Sequence, residues 1–163
     1  VPRPSPILFE APTALDLLLK ATLEACVTPE EATARLYGPV YAQSHPVVVH
    51  IATSTRNGRP AFALWWGTNS RRNCAYALES SATEARAGIL AVLCAAQLCP
   101  RNKNLIIYVA SEYVVRSFSY WAGDNETMGW SCANGDELRD SVQWLAYRHA
   151  PTQFRWVSSK SGN

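Results

Sequence analysis

Charged residues are sparse in this 163-residue chain, methionine occurs once, and no long apolar run is present. Asp, Glu, Lys and Arg make up 17% of the residues and sum to a net charge of +2. So slight a balance gives no strong electrostatic footprint for nucleic acid. No apolar stretch reaches membrane-spanning length, and the first residues lack the basic-then-apolar order of a secretory signal. The five cysteines, at positions 26, 74, 94, 99 and 132, form no CxxC pair and no His-accompanied zinc spacing. The expectation is therefore a reduced intracellular protein, nuclear or cytoplasmic, without membrane contact, in which Cys94 and Cys99 act as small hydrophobes. The chain begins without Met, which suits a fragment excised from a larger polypeptide.

What is present is a domain's worth of apolar residues. A chain of this length buries roughly two thirds of its unfolded surface, and six Trp with seven Tyr supply large core side chains. Residues 1–12 carry four prolines and read as an extended arm. Two short helices are predicted next: one from Thr13 with Leu15, Leu18, Leu19 and Leu23 on one face, and one from Thr28-Pro-Glu-Glu31. The second has an N-cap, proline at the first helical position and a stop at Gly38-Pro39. Positions 40–46 read as a linker, so residues 1–46 form an extension and 47–163 the main domain.

From Val47 the pattern becomes strand-like. Val47–Ala52, Ala61–Trp66 and Asn73–Leu78 are predicted strands joined by Arg56–Pro60 and Gly67–Ser70, an antiparallel meander. A helix over Ala82–Leu98 follows, with Ile89, Val92, Leu93 and Ala96 at helical spacing. Then come a strand at Leu105–Val109, a helix through Tyr113, Val114 and Phe118, and a loop over Ala122–Gly135. A helix over Glu137–Arg148 and a strand at Phe154–Val157 complete the order. An α/β fold with a five-stranded mixed sheet flanked by helices is the economical solution.

Several dispersed segments carry a resemblance. Ser111-Glu-Tyr-Val114 resembles the T-D-S-x-Y-V segment of the ribonuclease H family, and Glu84-Ala-Arg-Ala-Gly-Ile-Leu-Ala91 resembles its first helix, which begins E-L-x-A-A. Asn57-Gly-Arg-Pro60 and Trp65-Trp-Gly67 are similar to the first hairpin of eukaryotic members. Gly129-Trp130 and Arg139-Asp140 match a later G-W and R-D-L-W, and Arg155-Trp-Val-Ser-Ser-Lys-Ser-Gly162 resembles W-V-x-G-H-S-G. The resemblance runs from about Val47 onward and implies a ribonuclease H-like fold. An arm and helices ahead of such a domain also resemble the layout of retroelement-like polyproteins.

The family's chemistry uses two metal ions, held by four clustered carboxylates, to activate water and stabilise a leaving oxygen of the RNA strand. Carried over residue by residue, the first-strand aspartate falls on Thr53, the helix glutamate is kept as Glu84, and the aspartate of T-D-S falls on Ala110. The last aspartate would lie beyond Asn163, and the loop histidine falls on Lys160. One carboxylate with substrate phosphates would hold a single Mg²⁺ weakly, whereas two ions in fixed geometry need more. The resemblance therefore implies a pseudoenzyme without cofactor or metal. Glu84 also has a structural reading, because Ser81-Ala-Thr-Glu84 has capping-box spacing. Glu112 suits an early helical turn, Asp140 suits a solvated face, and His45, His50 and His149 are scattered.

Binding remains as a function. Family members grip an RNA–DNA hybrid by its backbone and 2′-hydroxyls. The candidates for such contacts, to hybrid or to duplex RNA, are Asn57, Arg59, Arg71, Arg72, Asn73, Arg86, Arg155 and Lys160, with Arg116 as a further contributor. The competing expectation is a protein-interaction or self-association module. There the pairs Trp65-Trp66 and Trp121 offer contact area, one of the adjacent tryptophans facing in and the other out.

Overall fold

A computed structural model describes residues 13–38 and 45–157, without the side chains of Asp16 and Leu23. The Pro-rich arm, most of the expected linker and Lys160 lie outside the described residues. Helices α1 (Ala14–Cys26) and α2 (Pro29–Tyr37) precede strands β1 (Val47–Arg56), β2 (Arg59–Trp65) and β3 (Cys74–Ala77). Then follow α3 (Glu84–Leu98), β4 (Leu105–Val109), α4 (Glu112–Phe118), α5 (Ala122–Thr127), α6 (Gly135–Ala146) and β5 (Thr152–Trp156).

The strands form one five-stranded sheet in the order β3-β2-β1-β4-β5. The β1–β2 and β2–β3 pairs are antiparallel, while β1–β4 and β4–β5 are parallel. This mixed sheet, with helices packed on it, is a ribonuclease H-like fold. Asn57 and Gly58 start it: both have positive φ (52° and 74°), as a two-residue hairpin turn requires, and they set Arg56 opposite Arg59.

Alternation along the strands sends Val49, Ile51, Phe62, Leu64, Leu105, Ile107, Val109 and Phe154 to one face, all buried. Small residues on α3 (Ala87, Gly88, Ala91 and Ala95) let that helix lie close over them. A Cβ on Gly88 would come within 2.6 Å of Val114 Cγ2, so glycine also lets α3 and α4 approach. Phe154 stacks on Phe118 at 5.2 Å and meets Tyr37 of α2 at 6.2 Å. The Tyr37 hydroxyl donates to the Phe118 carbonyl, and burial pushes its pKa well above the usual phenol range.

The opposite sheet face carries His50, Ala52 and Ser54 of β1, Ala61, Ala63 and Trp65 of β2, Ala75 and Ala77 of β3, Tyr108 and Arg155. No described helix covers it. Trp65 is 50% exposed there, while Trp66 packs against the core, as the alternation predicts.

Several boundaries differ from the sequence expectation. Helix α3 begins at Glu84 instead of Ala82 because Thr83 is its cap, and α6 spans Gly135–Ala146 instead of residues 137–148. The expected loop over Ala122–Gly135 contains α5; only Ala122 of that helix is buried, so no apolar period marks it. The described leucines of α1, Leu15, Leu17, Leu18 and Leu19, do not reach the core, Leu15 and Leu18 being each 63% exposed. That helix is held instead by Lys20–Asp124 and Glu24–Arg116 ion pairs at 3.0 and 2.7 Å, and the Tyr120 hydroxyl donates to the Val27 carbonyl just beyond it. No described helix is long and apolar enough to cross a membrane.

Gly135 offers a test of the α5–α6 junction. A Cβ there would lie 1.9 Å from the Trp130 carbonyl oxygen, so backbone must move to admit one. Gly135→Ala is expected to cost about 1–3 kcal/mol, as overpacking does, read as a lower urea midpoint at unchanged slope.

Candidate functional site

The parallel pairing sets Ile51 beside Val109, so Thr53 and Ala110 lie just beyond, at the carboxyl ends of adjacent strands. That edge of an open α/β sheet is where ligands commonly bind. Thr53 and Thr55, two apart on β1, point to the same face, toward α3. Glu84 is the first residue of α3 and lies one turn before Gly88, which approaches Thr53. Its carboxylate consequently accepts hydrogen bonds from Thr53 Oγ1 at 3.2 Å and Thr55 Oγ1 at 3.1 Å.

The capping-box expectation for Glu84 is corrected by this geometry. The cap is Thr83, whose hydroxyl accepts from the Arg86 N–H at 3.1 Å, and Ser81 lies ahead of the helix. Glu84 reaches across to the sheet and not back to Ser81. At Ala110 the backbone carbonyl accepts from Trp156 Nε1 at 2.9 Å, so an exposed indole from β5 borders the end of β4. Thr55 and Trp156 take part at this edge without having been given a role by the sequence, although Trp156 stands in the Arg155–Gly162 segment. The signal for Thr55 was the two-residue strand period; Trp156 is placed by the register that sets it beside Val109, which only the structure gives.

The described candidates for nucleic-acid contact are spread over several elements. Arg86 is bound by two acids: Nη1 lies 2.8 Å from Glu79 Oε1 and Nε 3.2 Å from Glu137 Oε1. The Glu79 carboxyl is held below its usual range by its own backbone N–H and by Arg86. Together Arg86, Glu137, Thr83, Trp130 and Asn134 line an open polar cavity of about 440 Å³ between the starts of α3 and α6. Asn57 forms the hairpin turn, and Arg59 donates to the Leu78 carbonyl at 3.2 Å. Asn73 closes the β2–β3 loop, accepting from the Trp66 N–H and donating to the Gly67 carbonyl. Arg71 is exposed in that loop, and the Arg72 guanidinium stands 6.0 Å from the Trp66 ring. The hairpin and this loop flank opposite ends of β2, about 20 Å apart at the rise of a strand. Arg155 lies on the open face, bonded to the Tyr108 hydroxyl, and Arg116 is paired with Glu24 and Glu112. Glu112 and Asp140 are both exposed on helices, each ion-paired to an arginine. Lys160 falls outside the described residues.

A substitution pair tests the assignment of the cap. Thr83→Ala is expected to destabilise the domain by about 1 kcal/mol and Ser81→Ala by less than about 0.5 kcal/mol, measured by chemical denaturation.

No family model matches the chain. It is similar to a ribonuclease H of Chromobacterium violaceum, 27% identical over 90 residues, covering 52% of this chain and 61% of that protein. A ribonuclease H of Francisella tularensis subsp. novicida is 27% identical over 93 residues, covering 54% of this chain and 60% of that protein. The chain thus spans about three fifths of the length of these curated relatives. It carries a ribonuclease H-like fold and is distantly similar to bacterial ribonucleases H.

Proposed function

We propose that this chain is a catalytically inactive ribonuclease H-like domain that works by binding another protein within a larger assembly. The supporting observation is the state of Glu84: its carboxylate is satisfied by the Thr53 and Thr55 hydroxyls, in a site where Ala110 contributes a methyl group. A threonine hydroxyl supplies no negative charge, and an alanine side chain supplies no oxygen. Holding two divalent ions 3.5–4 Å apart, roughly the separation two-metal catalysis uses, requires several converging anions. The residues present do not fit such a pair of ions.

The open sheet face supports the binding half of the reading. Trp65, His50, Tyr108 and Arg155 form a row across four strands. Ring centroids are 5.4 Å apart for Trp65–His50 and 4.8 Å for His50–Tyr108, and the Arg155 guanidinium is 5.8 Å from the Tyr108 ring. Beside this ridge Ala52, Ala61, Ala63, Ala75 and Ala77 make a floor of small side chains. A ridge next to a shallow apolar floor suits a packed protein element better than a phosphate backbone, which wants clustered cations.

The chain, incubated with an RNA–DNA hybrid and Mg²⁺ or Mn²⁺, is expected to leave the hybrid uncut; metal-dependent cleavage refutes the inactive reading. Adding acids in the variant Thr53→Asp with Ala110→Asp should crowd Glu84 with negative charge. With chelator present, its melting temperature should fall by about 2–4 °C, corresponding to roughly 1 kcal/mol in a domain of this size, and Mg²⁺ should restore it. Salt-dependent hybrid binding that Arg71→Glu with Arg72→Glu abolishes would instead assign the domain to nucleic acid.

A further inference from the structure

The five strands carry no acidic residue, and their charged residues are all arginines: Arg56, Arg59 and Arg155. Register and alternation set all three on the sheet face that no described helix covers. Arg56 and Arg59 pair with one another two positions beyond Ser54 and Ala61, and Arg155 pairs with Tyr108. None of the three meets a carboxylate among the described residues, whereas Arg86, Arg116 and Arg139 on the helices are each ion-paired. Arg59 donates to the Leu78 carbonyl, and Arg155 to the Tyr108 hydroxyl and Gln153 Oε1; these neutral acceptors leave the charges in place. The face is thus of one sign, in a chain whose net charge is only +2.

Between its charged borders the face is shallow. The ridge of Trp65, His50, Tyr108 and Arg155 forms one border. The Arg56–Arg59 pair, further along β1 and β2, stands about 20 Å away at the rise of a strand. Ala52, Ala63 and Ala75, then Ser54, Ala61 and Ala77, make the two rows between them. A helix roughly 10–12 Å across fits such a trough. The small floor lets it lie close, as Ala87, Gly88 and Ala91 of α3 do on the other face.

We propose that this trough seats an acidic amphipathic helix of a partner protein. Its alanine- and leucine-sized stripe rests on the floor, carboxylates on one flank meet Arg56 and Arg59, and a carboxylate on the other meets Arg155. This rests on the protein-binding half of the reading above and names the chemistry of the partner. Parallel strands are ordinarily covered on both faces, and β1, β4 and β5 are parallel neighbours whose described helices cover one. A guanidinium takes a carboxylate through paired N–H donors. Cations at both borders therefore fix where acidic flanks lie, and they repel a helix with basic flanks. Two copies of this chain meeting face to face about a two-fold axis would set one all-cationic surface against another. A nucleic-acid strand fits less well, because the cations stand at separate borders and the floor offers methyl groups where bases need rings.

The test is a selection with the folded 163-residue chain from a displayed library of helical peptides about 18 residues long. Each peptide has a fixed alanine–leucine stripe and flanking positions free to be Glu, Gln or Lys. The bound pool is expected to be enriched in Glu on both flanks. A selected peptide should lose about tenfold or more in affinity with Arg56→Glu and Arg59→Glu together, with Arg155→Glu, or with Trp65→Ala. Exchanging Glu for Lys on the flank that meets Arg56 and Arg59 should restore binding to the chain carrying Arg56→Glu and Arg59→Glu, a result that a misfolded variant cannot give. A pool without acidic enrichment, no pool at all, or affinity indifferent to these substitutions overturns the proposal. A concentration-dependent mass that Trp65→Ala abolishes would assign the face to a second copy, overturning the acidic helix while leaving the protein-binding reading in place. Single-stranded RNA bound saturably by the chain and released by Trp65→Ala would overturn both.

Discussion

Helix α3 meets the sheet through Ala87, Gly88, Ala91 and Ala95, and the closeness these small side chains permit governs the geometry around the candidate site. Larger residues would lift the helix axis from β1 and β2. Glu84 would then stand too far from Thr53 and Thr55 for hydroxyl-to-carboxylate bonds near 3.1 Å. The same approach places Gly88 against Val114 and so fixes α4 relative to the end of β4. Position, in this domain, is set by what the helix lacks in bulk.

That geometry leaves a frame with altered chemistry. An isolated carboxylate is easily accommodated by water, a cation or hydroxyl donors, and here two threonines supply the donors. Among the described residues no group of carboxylates gathers beside Glu84. The surroundings continue the pattern: Arg86 is held between Glu79 and Glu137, and the end of β4 is bordered by the Trp156 indole.

Much of this was readable in advance because it depends on local rules. Asn57-Gly58 fixes a hairpin by its own dihedral preferences, and Thr28 with Pro29 caps α2 as the sequence predicts. The strand period separates Trp65 from Trp66. What stayed hidden depends on partners distant in sequence. Spacing suggested Ser81 as the cap of α3, but Thr83 competes for the same role, and only the approach of β1 turns Glu84 toward the threonines. Arg86 looked available until Glu137, far along the chain, came to face it. The leucines of α1 have helical spacing, yet periodicity tells which residues share a face and not whether anything packs on it.

The contact between Tyr37 of α2 and the Phe118–Phe154 stack bears on how the chain acquires its shape. The helix is synthesised well before the strand that completes its seat. Until β5 adds beside β4, Tyr37 has only part of its seat, and closing so long a loop is entropically slow. During synthesis α2 must wait for β5 before the seat of Tyr37 is complete. The two ends of the described fold thus depend on one shared contact.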